Sequence, residues 1–580
     1  TTKASSKPRP GDNGSIKLAD EGAWTWFNDP RALFHNGTLY AGFVRMSDGA
    51  SCVNACNVET GAYATVVTSV IKQKDDHNNP ALLPLADGRM MAFYALHSQL
   101  KYSEYRISTS TSPTTAADWG AARNSQTFVT GISYQNPYQL SAENGRIYNF
   151  FRDIDWDPCF IISDDLGETW SASQYLIKAD GTSIRPYVKY ASNYQDRVDI
   201  LYTDDHPRGQ GTSLYHLYIK GGKIYKTDGT SLKTAEDSCV ERTLANLPIV
   251  HSVGRVVKEP GSVVYGYNTV GSTDYDDHIP SGRAWCWDIV YDKAGNPVCV
   301  FSVRTGSGDS LSNRIFYYYA RYDDVGKQWK KQFIAKAGRP LYSSEGDYAG
   351  GIALDPANPD VVYISTNSAA PFDLTDVTAN PLSTNERYEI WRGVRNAEGN
   401  FDWTPVTENS AKDNLRPYVP RNSPYGQSLI YFSGTYASYA SVSAEVRGIF
   451  KNKNPSFAGW TSDNGLSGDD ALPNADPSGI GISNLTAYAF GIELTGALTD
   501  ADREKIPRME KLANGTPVFR FQKNKALADI DYVVQISSDL QNWDDGSYTI
   551  NSSEGEIEIC DVAANSSEPR RFYRVKVVQK

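Results

Sequence analysis

One pattern recurs along the chain: an apolar or aromatic run, a turn rich in Asn, Asp and Gly, and a second alternating run. Seven copies begin at Asp29, Asn79, Asn136, Arg185, Trp287, Gly350 and Arg416. Two period-2 runs around such a turn predict two short antiparallel strands joined by a tight hairpin. The spacing leaves room for two further strands per copy, and four-stranded units repeated radially form a β-propeller. We therefore expect an all-β fold built on a seven-bladed β-propeller.

The propeller is expected over residues 15–454, and the early segment SIKLAD from Ser15 could close the ring by pairing with the last blade. A pair of β-sandwiches would also give many short strands, but seven similar hairpins are hard to divide between two sandwiches. Ser163–Trp170 reads SDDLGETW, which fits the S-x-D-x-G-x-T-W turn on propeller blades of sialidase-like proteins. That turn marks a fold and carries no chemistry by itself.

The composition changes after Asn454, where a stretch rich in Gly, Asp, Pro and Ser predicts a linker over residues 455–481. Residues 482–580 predict one short amphipathic helix followed by alternating strands. This tail resembles the C-terminal β modules of secreted bacterial polysaccharide-degrading enzymes, which implies a small sandwich-like accessory module without chemistry. The linker carboxylates lack the regular spacing of a calcium loop, so a solvated loop is the better interpretation.

Charge and hydropathy exclude several classes of partner. The 580 residues carry 57 basic and 68 acidic side chains, a formal net charge of −11, with no run of four basic residues. Nucleic acids and anionic membranes need clustered Lys and Arg, and no stretch of 18 apolar residues is present to span a bilayer. We expect no nucleic-acid partner, no membrane insertion and a monomer. Because the chain starts at Thr1 as a processed protein would, we expect a secreted or cell-surface location, extracellular or periplasmic.

The geometry of a propeller hairpin turns the repeat into a site prediction. The start of each inner strand and the end of its partner lie side by side near the central channel. Three neighbouring copies carry aromatic or charged residues at these places: His77 and His97, then Tyr134 and Arg152, then Arg185, Tyr187 and His206. A purely structural repeat would place small or apolar residues there, so the set as a whole indicates a functional site.

Several chemistries can be compared with this set. The chain has neither a Gly-rich loop ending in GK[ST] for phosphate nor the G-x-S-x-G motif of serine hydrolases. A sialidase-type hydrolase needs a three-arginine clamp, for which Arg152 and Arg185 are candidates. Other glycosidases need two carboxylates, and the candidates are Asp75, Asp76, Asp153, Asp155, Asp204 and Asp205.

β-Elimination at a uronic acid fits the set better. An Arg or a protonated His can neutralise the C6 carboxylate, while His and Tyr supply a base for H5 and an acid for the O4 leaving group. No metal or cofactor is required for these steps.

Three segments between Asp75 and Arg208 carry a resemblance: DDHNNPALLPLADGRMMAFYALHS, SYQNPYQLSAENGRIYNFFRD and RPYVKYASNYQDRVDILYTDDHPRG. They resemble the seven-bladed propeller polysaccharide lyases known as ulvan lyases and their rhamnose-α-1,4-glucuronate lyase relatives, and the likeness covers roughly residues 22–452. It implies cleavage of rhamnose–uronate linkages at glucuronate or iduronate, which leaves 4,5-unsaturated uronyl ends. It also implies an acidic polysaccharide substrate that can carry sulfate.

The family pattern, two histidines on one blade and a tyrosine and an arginine on the next, falls on His77, His97, Tyr134 and Arg152, the expected catalytic residues. His77 is expected to be the base and Tyr134 the acid, with Arg152 and His97 on the carboxylate. In a competing scheme Tyr134 is both base and acid, and His77 only holds the carboxylate.

Four more residues are expected to bind substrate: Arg185, Tyr187, His206 and Tyr138. Tyr187 is preferred over Tyr202 because it starts an inner strand. The spacing of eighteen residues between Tyr134 and Arg152 departs slightly from the family pattern. Tyr138, fourteen residues before Arg152, therefore stays open as the acid.

A structural calcium or zinc ion is left open. Cys239, His251, His278 and Cys286 contain two Cys and two His with irregular spacing, and unrelated core residues are the better interpretation. Two other functions also stay open: a propeller glycoside hydrolase of the rhamnosidase or sialidase type, and a non-catalytic glycan-binding propeller.

Overall fold

The computed structural model describes residues 14–179, 184–209, 211–250, 257–267, 278–306, 314–374, 384–453, 455–466, 468–494, 497–564 and 570–580. The chain divides into two compact units, residues 1–423 with 428–450 and residues 424–427 with 451–580. The division lies close to the boundary at residue 454 that the change in composition predicts. In the described part of the chain, no helix is long and apolar enough to cross a membrane.

The first unit opens with β1 (Ile16–Ala19) and then forms a series of antiparallel sheets. The first sheet contains β2 (Ala32–His35), β3 (Thr38–Arg45), β4 (Ala50–Asn57) and β5 (Ala62–Lys72). The second contains β6 (Ala81–Pro84), β7 (Met90–Tyr94), β8 (Glu104–Ile107) and β9 (Arg123–Asn124). The third contains β10 (Ser133–Leu140), β11 (Arg146–Arg152), β12 (Pro158–Ser163) and β13 (Gln174–Tyr175), and is followed by β14 (Ile177–Lys178).

The fourth sheet contains β15 (Val188–Ser192), β16 (Arg197–Thr203), β17 (Leu214–Lys220) and β18 (Lys223–Lys226). β19 (Ile249–Val250) pairs with β14, and β20 (Ser262–Tyr265) pairs with β17. The fifth sheet contains β21 (Arg283–Tyr291), β22 (Pro297–Thr305), β23 (Arg314–Asp323) and β24 (Gln328–Gly338). The sixth contains β25 (Gly351–Leu354), β26 (Val361–Ser368), β27 (Thr384–Arg395) and β28 (Phe401–Pro405).

The seventh sheet contains β29 (Asp413–Tyr418), β30 (Tyr425–Ser438) and β31 (Ser441–Lys453), with β1 at its edge. β1 runs antiparallel to β31 and places Ile16 opposite Gly448. The first strand therefore joins the last sheet, as the sequence predicts. Single turns of 3-10 helix lie at Asp76–Asn78, Ala116–Asp118, Ser141–Glu143, Ile154–Trp156 and Leu244–Asn246.

Each of the seven predicted hairpins is an antiparallel strand pair. In the first, Asn36 and Gly37 at the turn both have positive φ, as the tight turns that suit the twist of a hairpin require. Apolar cores lie between successive sheets. Leu33 and Tyr40 of the first sheet pack with Leu82 of the second, and Phe150 of the third packs with Tyr190 of the fourth. Successive four-stranded sheets with cores between their faces make the first unit a β-propeller.

The turn SDDLGETW has the hydrogen bonds of a fold-stabilising motif. The Ser163 hydroxyl donates to Asp165 Oδ1 at 2.8 Å, which also accepts from the Thr169 N–H at 2.8 Å. Gly167, at φ +84°, donates its N–H to Ser163 Oγ. Trp170 packs edge-on against Phe93 of the second sheet. The motif thus joins neighbouring sheets and lies apart from the predicted site.

The second unit is a small α+β structure. Its helices are α1 (Phe457–Asp463), α2 (Asn484–Phe490) and α3 (Asp500–Lys505), with a 3-10 turn at Gly468–Ala471. One sheet contains β32 (Arg508–Lys511), β33 (Pro517–Asn524), β36 (Thr549–Glu554) and β37 (Ile557–Ala563). The other contains β34 (Ile530–Ser537), β35 (Asp544–Asp545) and β38 (Phe572–Gln579). Its core joins both sheets to α2 through residues such as Phe490, Phe521 and Val534.

Candidate active site

Two histidines share one carboxylate at the head of the second sheet. Asp75 caps the 3-10 turn Asp76–Asn78 by accepting the His77 N–H at 3.0 Å. Its Oδ1 also lies 2.5 Å from His77 Nδ1, and its Oδ2 lies 2.9 Å from His97 Nδ1. The two imidazoles stack with centroids 4.0 Å apart and planes within 10°. The spacing of twenty residues in the sequence therefore becomes direct contact.

The shared carboxylate makes the two histidines unequal. His77 is buried, and the negative charges of Asp75 and Asp76 raise its pKa to about 10 against the opposing effect of burial. The pKa of His97 is lowered by burial and by the charge of His77 beside it. At neutral pH, His77 is thus an imidazolium and His97 a neutral imidazole. Because His97 Nδ1 donates to Asp75, its Nε2 carries the lone pair.

Tyr134 and Arg152 come together at the head of the third sheet. A bulge interrupts the pairing of β10 with β11 between Ser133 and Asn136, and Tyr134 within it has φ +70°. This conformation is costly for a residue other than Gly, and such strain persists where surrounding contacts enforce it. The Tyr134 ring lies 5.7 Å from His77, and the Arg152 guanidinium lies 4.8 Å from the centre of that ring.

Burial decides the protonation of Tyr134. The side chain is 7 % exposed, and desolvation raises the pKa of its phenol well above the ordinary value, although the positive charge of Arg152 lowers it. Tyr134 therefore holds its proton at neutral pH. A protonated phenol of this kind can act as an acid and not as a base.

The row continues into the fourth sheet. The Arg152 guanidinium lies 4.5 Å from the centre of the Tyr187 ring, and Tyr187 meets His206 edge-on at 5.2 Å. Burial and the charges of Arg208 and Arg152 lower the pKa of His206 well below its usual value. His206 Nδ1 accepts the Arg208 N–H at 2.9 Å, so the neutral ring carries its proton on Nε2.

Arg185 lies at the rim of this row. Its guanidinium stacks 4.7 Å from the centre of the Trp156 ring, and Trp156 is 38 % exposed. The Arg185 N–H donates to Asp205 Oδ1, which also accepts the His206 N–H. Asp205 thus orders the backbone that presents both predicted binding residues.

The structure places two of the predicted tyrosines elsewhere. Tyr138 packs in the core between the third and fourth sheets, and its hydroxyl donates to the Tyr190 carbonyl at 3.1 Å. Its expected role in substrate binding, and the alternative in which it is the acid, are therefore corrected: a strand alternates its faces, and Tyr138 lies on the one that faces the neighbouring sheet. Tyr202 likewise lies in this core and accepts the Gly261 N–H, which leaves Tyr187 in the site.

Sequence reasoning missed two aromatic residues of the site, Phe27 and Tyr439. Phe27 contacts Tyr134 at 5.2 Å and Tyr187 at 5.0 Å, and it lines a small cavity with Tyr134, Arg152 and Tyr187. Tyr439, in the turn between β30 and β31, meets His77 edge-on at 5.3 Å. The aromatic run AWTWF before the first hairpin was the available signal for Phe27, whereas nothing in the sequence marked Tyr439.

One cluster of side chains has the composition of a metal site. In the described ranges, the one group of three His, Cys, Asp or Glu side chains whose ligand atoms lie within 4.8 Å of one another is Asp75, His77 and His97. A cation there would have to replace the Nδ1 protons that both histidines direct at Asp75. Cys239 is exposed, and Cys286 is buried with its thiol directed at the Tyr187 carbonyl. Cys239, Cys286 and His278 form no such group, and His251 lies outside the described residues.

Fold and site together define a β-propeller whose inner strands present a row of His, Tyr and Arg side chains. The model of the BNR repeat-containing family matches residues 38–337, more than half of the chain, and the chain belongs to this family. Among curated proteins, none matches the chain.

Solved structures extend the comparison. A PL25 ulvan lyase, solved alone and bound to -[GlcA(1-4)Rha3S]-, is similar with a TM-score of 0.50 and 13 % identity over 76 % of this chain and 96 % of that one. Polysaccharide lyase Uly1 gives a TM-score of 0.44 and 10 % identity over 78 % of this chain and 99 % of that one. At this level of identity, the ulvan lyase shows a shared propeller fold and no more.

Proposed function

We propose that this protein is a polysaccharide lyase that cleaves rhamnose–uronate polymers of the ulvan type by β-elimination at glucuronate or iduronate. The observation that carries the proposal is the continuous row His97, His77, Tyr134, Arg152, Tyr187 and His206. Along it, a cationic histidine, a neutral histidine and a protonated tyrosine surround an arginine. Elimination next to a carboxylate needs these charge states.

Arg152 and His77 are the groups that would hold the C6 carboxylate. Both are cationic at neutral pH and both contact the Tyr134 ring, from which they lie 4.8 and 5.7 Å. Two positive charges there lower the energy of the enolate that forms when H5 leaves. This assignment differs from the expected scheme, in which His77 was the neutral base. The pair Asp75 and Asp76 is the physical reason, because it keeps His77 protonated.

His97 is the better base for H5. Its side chain is 26 % exposed, against 6 % for His77, and its Nε2 lone pair is available while Nδ1 donates to Asp75. A carboxylate behind an imidazole orients the ring and stabilises the imidazolium that forms when the base takes a proton. Asp75 would do this for His97 as the reaction proceeds.

Tyr134 is the acid for the leaving group. His97 Nε2 removes H5, the C5–H electron pair forms the C4–C5 double bond, and the C4–O4 bond breaks. O4 takes the phenolic proton of Tyr134, and the proton held by His97 then restores the tyrosine. The products are a 4,5-unsaturated uronyl end and a free hydroxyl on the departing chain.

The site offers less to a glycosidase. Asp75 is hydrogen-bonded to two histidines. Asp76 accepts the Tyr436 hydroxyl and lies 3.0 Å from His77 Nδ1. Asp205 accepts two backbone N–H groups. These carboxylates hold other groups in place. None of the three is left to act as an acid on a glycosidic oxygen.

The substrate class follows from the charge of the cleft. Arg152, Arg185 and Arg208 all contribute positive charge at His206, in a protein of net charge −11. A local cationic cleft in an acidic protein favours a polyanion, and we propose a carboxylated polysaccharide that can carry sulfate. Such polymers are too large to enter cells, so we also propose a secreted or cell-surface location.

The test is digestion of a small panel of uronate-containing polysaccharides, with sulfated ulvan and an unsulfated glucuronan among them. The expected product is an unsaturated uronate, detected by its conjugated ultraviolet absorbance. Arg152→Ala should lose about 10²–10³-fold in rate, the usual cost of removing one electrostatic stabiliser. New reducing ends without unsaturated uronate would show hydrolysis and overturn the proposal.

The two histidines can be separated in the same assay. His97→Ala should be nearly inactive and partly rescued by added imidazole, because a base can be replaced from solution. His77→Asn should also lose activity, but imidazole should not restore it. Rescue of His77→Asn and not of His97→Ala would return the base to His77.

A further inference from the structure

A second charged group lies inside the propeller, apart from the row that performs the chemistry. Arg416, at the start of the seventh hairpin, is 1 % exposed. Its backbone is fixed on both sides, since its N–H donates to the Gly350 carbonyl at 2.6 Å and its carbonyl accepts the Trp24 indole N–H at 3.2 Å. It also has φ +53°, a conformation that costs energy for any residue with a side chain.

The guanidinium of Arg416 has no hydrogen-bond partner among the residues that the structure describes. Nε, Nη1 and Nη2 are all buried and all unsatisfied. A buried charged group without hydrogen bonds is strongly destabilising, and native proteins rarely contain one. The side chain therefore requires something that accepts its N–H groups.

Aromatic rings surround this group. Its Cζ lies 4.4 Å from the centre of the Trp26 ring, 5.3 Å from Tyr348 and Tyr436, and 5.6 Å from Trp287. Ring faces attract a cation, but they supply no in-plane acceptor for five N–H donors. The Tyr436 hydroxyl is already used, because it donates to Asp76 at 2.6 Å.

Two buried carboxylates of the propeller are paired with other cations. Asp29 accepts from Arg31 and Lys189. Asp288 accepts from Arg421 and from the Leu354 N–H at 3.0 Å. These two buried anions face three cations, so they leave no negative charge for Arg416.

The structure assigns to Arg416 a buried anion site, and we propose that it binds a small inorganic anion of the halide class, chloride in ordinary salt. An anion in the guanidinium plane would accept its N–H groups and neutralise its charge. The surroundings favour a small ion, because the centres of four aromatic rings all lie within 5.6 Å of Arg416 Cζ. The anion takes no part in the proposed lyase chemistry, although Tyr436 links Arg416 to Asp76 beside His77.

Crystals of the wild-type protein soaked in sodium bromide give the direct test. The expected result is an anomalous bromide peak within about 3.5 Å of the Arg416 guanidinium nitrogens, since halides are larger than oxygen acceptors. An ordered water in that position with no bromide peak overturns the proposal. So does a protein side chain that has moved in to pair with Arg416.

Thermal unfolding tests the same site in solution. Sodium chloride is exchanged for sodium gluconate at constant ionic strength. With chloride at ten times its dissociation constant, the unfolding equilibrium constant should fall about elevenfold. Arg416→Met should lose this dependence. Arg242→Met is the matched control, because Arg242 is also buried, at 5 % exposure, but is paired with Glu259, and it should keep the dependence.

Arg416→Lys serves as a second variant if Arg416→Met does not fold. A lysine keeps one charge, and it should retain a weaker chloride effect. An equal chloride effect in wild type and both Arg416 variants would place the halide elsewhere and refute the assignment.

Discussion

At the level of single residues, Asp75 shows why only one of the two histidines of the site carries a positive charge. A single carboxylate lies 2.5 Å from His77 Nδ1 and 2.9 Å from His97 Nδ1, and the stacked rings 4.0 Å apart disfavour a second positive charge. One imidazole therefore stays charged while the other stays neutral. In the proposed mechanism, this asymmetry supplies a carboxylate-binding cation and a base from two identical side chains.

Replacing Asp75 with Asn should shift the pH dependence of the reaction. Asn still accepts the His77 N–H and caps the turn, but it carries no charge, so the pKa of His77 should fall from about 10 toward its ordinary value near 6.5. The alkaline limb of kcat/KM should then move to lower pH by about one unit or more. A profile measured from pH 5 to pH 10 on both proteins tests this. An alkaline limb in the same place for both would show that Asp75 does not set the charge of His77.

Tyr134→Phe should abolish elimination, because O4 would leave without a proton. The loss should reach about 10²–10⁴-fold, the usual range for a general acid. Tyr138→Phe is the control, since it removes a hydroxyl four residues away that bonds only within the core. The control should lose about 1 kcal/mol of stability and keep near wild-type activity. An active Tyr134→Phe enzyme would remove Tyr134 from the mechanism.

At the level of secondary-structure elements, short irregular segments near the ends of strands position the side chains of the site. The 3-10 turn Asp76–Asn78 carries His77, and the bulge in β10 carries Tyr134. The connection between β11 and β12, with positive φ at Asp155 and Trp156, presents Trp156 to Arg185. In each case an irregular backbone segment lies beside or within the end of a regular strand.

The turn from β11 to β12 should make stability depend on pH through Asp157. This side chain is 1 % exposed, its Oδ2 accepts the Ala179 N–H at 3.0 Å, and burial raises its pKa to about 7. The folded protein thus holds a proton there that the unfolded chain releases above about pH 4. This contribution to stability is present at low pH and is lost as pH rises through about 7.

Asp157→Asn keeps the side chain neutral at every pH and should remove this contribution. Urea unfolding at pH 5 and pH 8 should show the variant gaining stability relative to wild type at the higher pH. Each unit of pKa difference corresponds to about 1.4 kcal/mol, so the relative gain is readily measured. Parallel pH curves for the two proteins would contradict the raised pKa.

At the level of the complete propeller unit, the first and last strands pair in one sheet. β1 completes the seventh sheet by pairing with β31, and Arg447 donates to the Ser15 hydroxyl at 2.8 Å. Residues more than 400 positions apart thus complete one sheet. A propeller gains stability from such closure because it leaves few exposed sheet edges.

Leu18→Ala tests the contribution of the first strand. Leu18 is 1 % exposed, and the substitution should cost about 2–5 kcal/mol, the range for deleting a buried leucine side chain. Val70→Ala, at a site 69 % exposed, is the matched control and should change stability by less than about 0.5 kcal/mol. Denaturant unfolding of both measures the difference. A cost for Leu18→Ala no larger than for Val70→Ala would show that the first strand adds little.

Much of the site could be predicted because each repeat places its corresponding residues at equivalent positions near the central channel. The starts of the inner strands and the ends of their partners predicted six site residues, His77, His97, Tyr134, Arg152, Tyr187 and His206. The structure brings all six into one row. The prediction for Tyr138 was wrong because the family spacing does not determine which face of β10 a side chain occupies. Phe27 and Tyr439 were missed because Phe27 precedes the first hairpin and Tyr439 lies in the turn between β30 and β31, so neither belongs to a repeated strand pair.

The all-β class and the seven hairpins could be predicted from the sequence, because they depend on local alternation and turn residues that act within a few positions of one another. The pairing of β1 with the last sheet followed from the expectation that a propeller closes its ring. The charges of His77 and His97, the isolation of Arg416 and the core position of Tyr138 depend on the tertiary fold. Those properties arise from burial and from partners on other sheets, such as Tyr436 on Asp76, which no local pattern encodes.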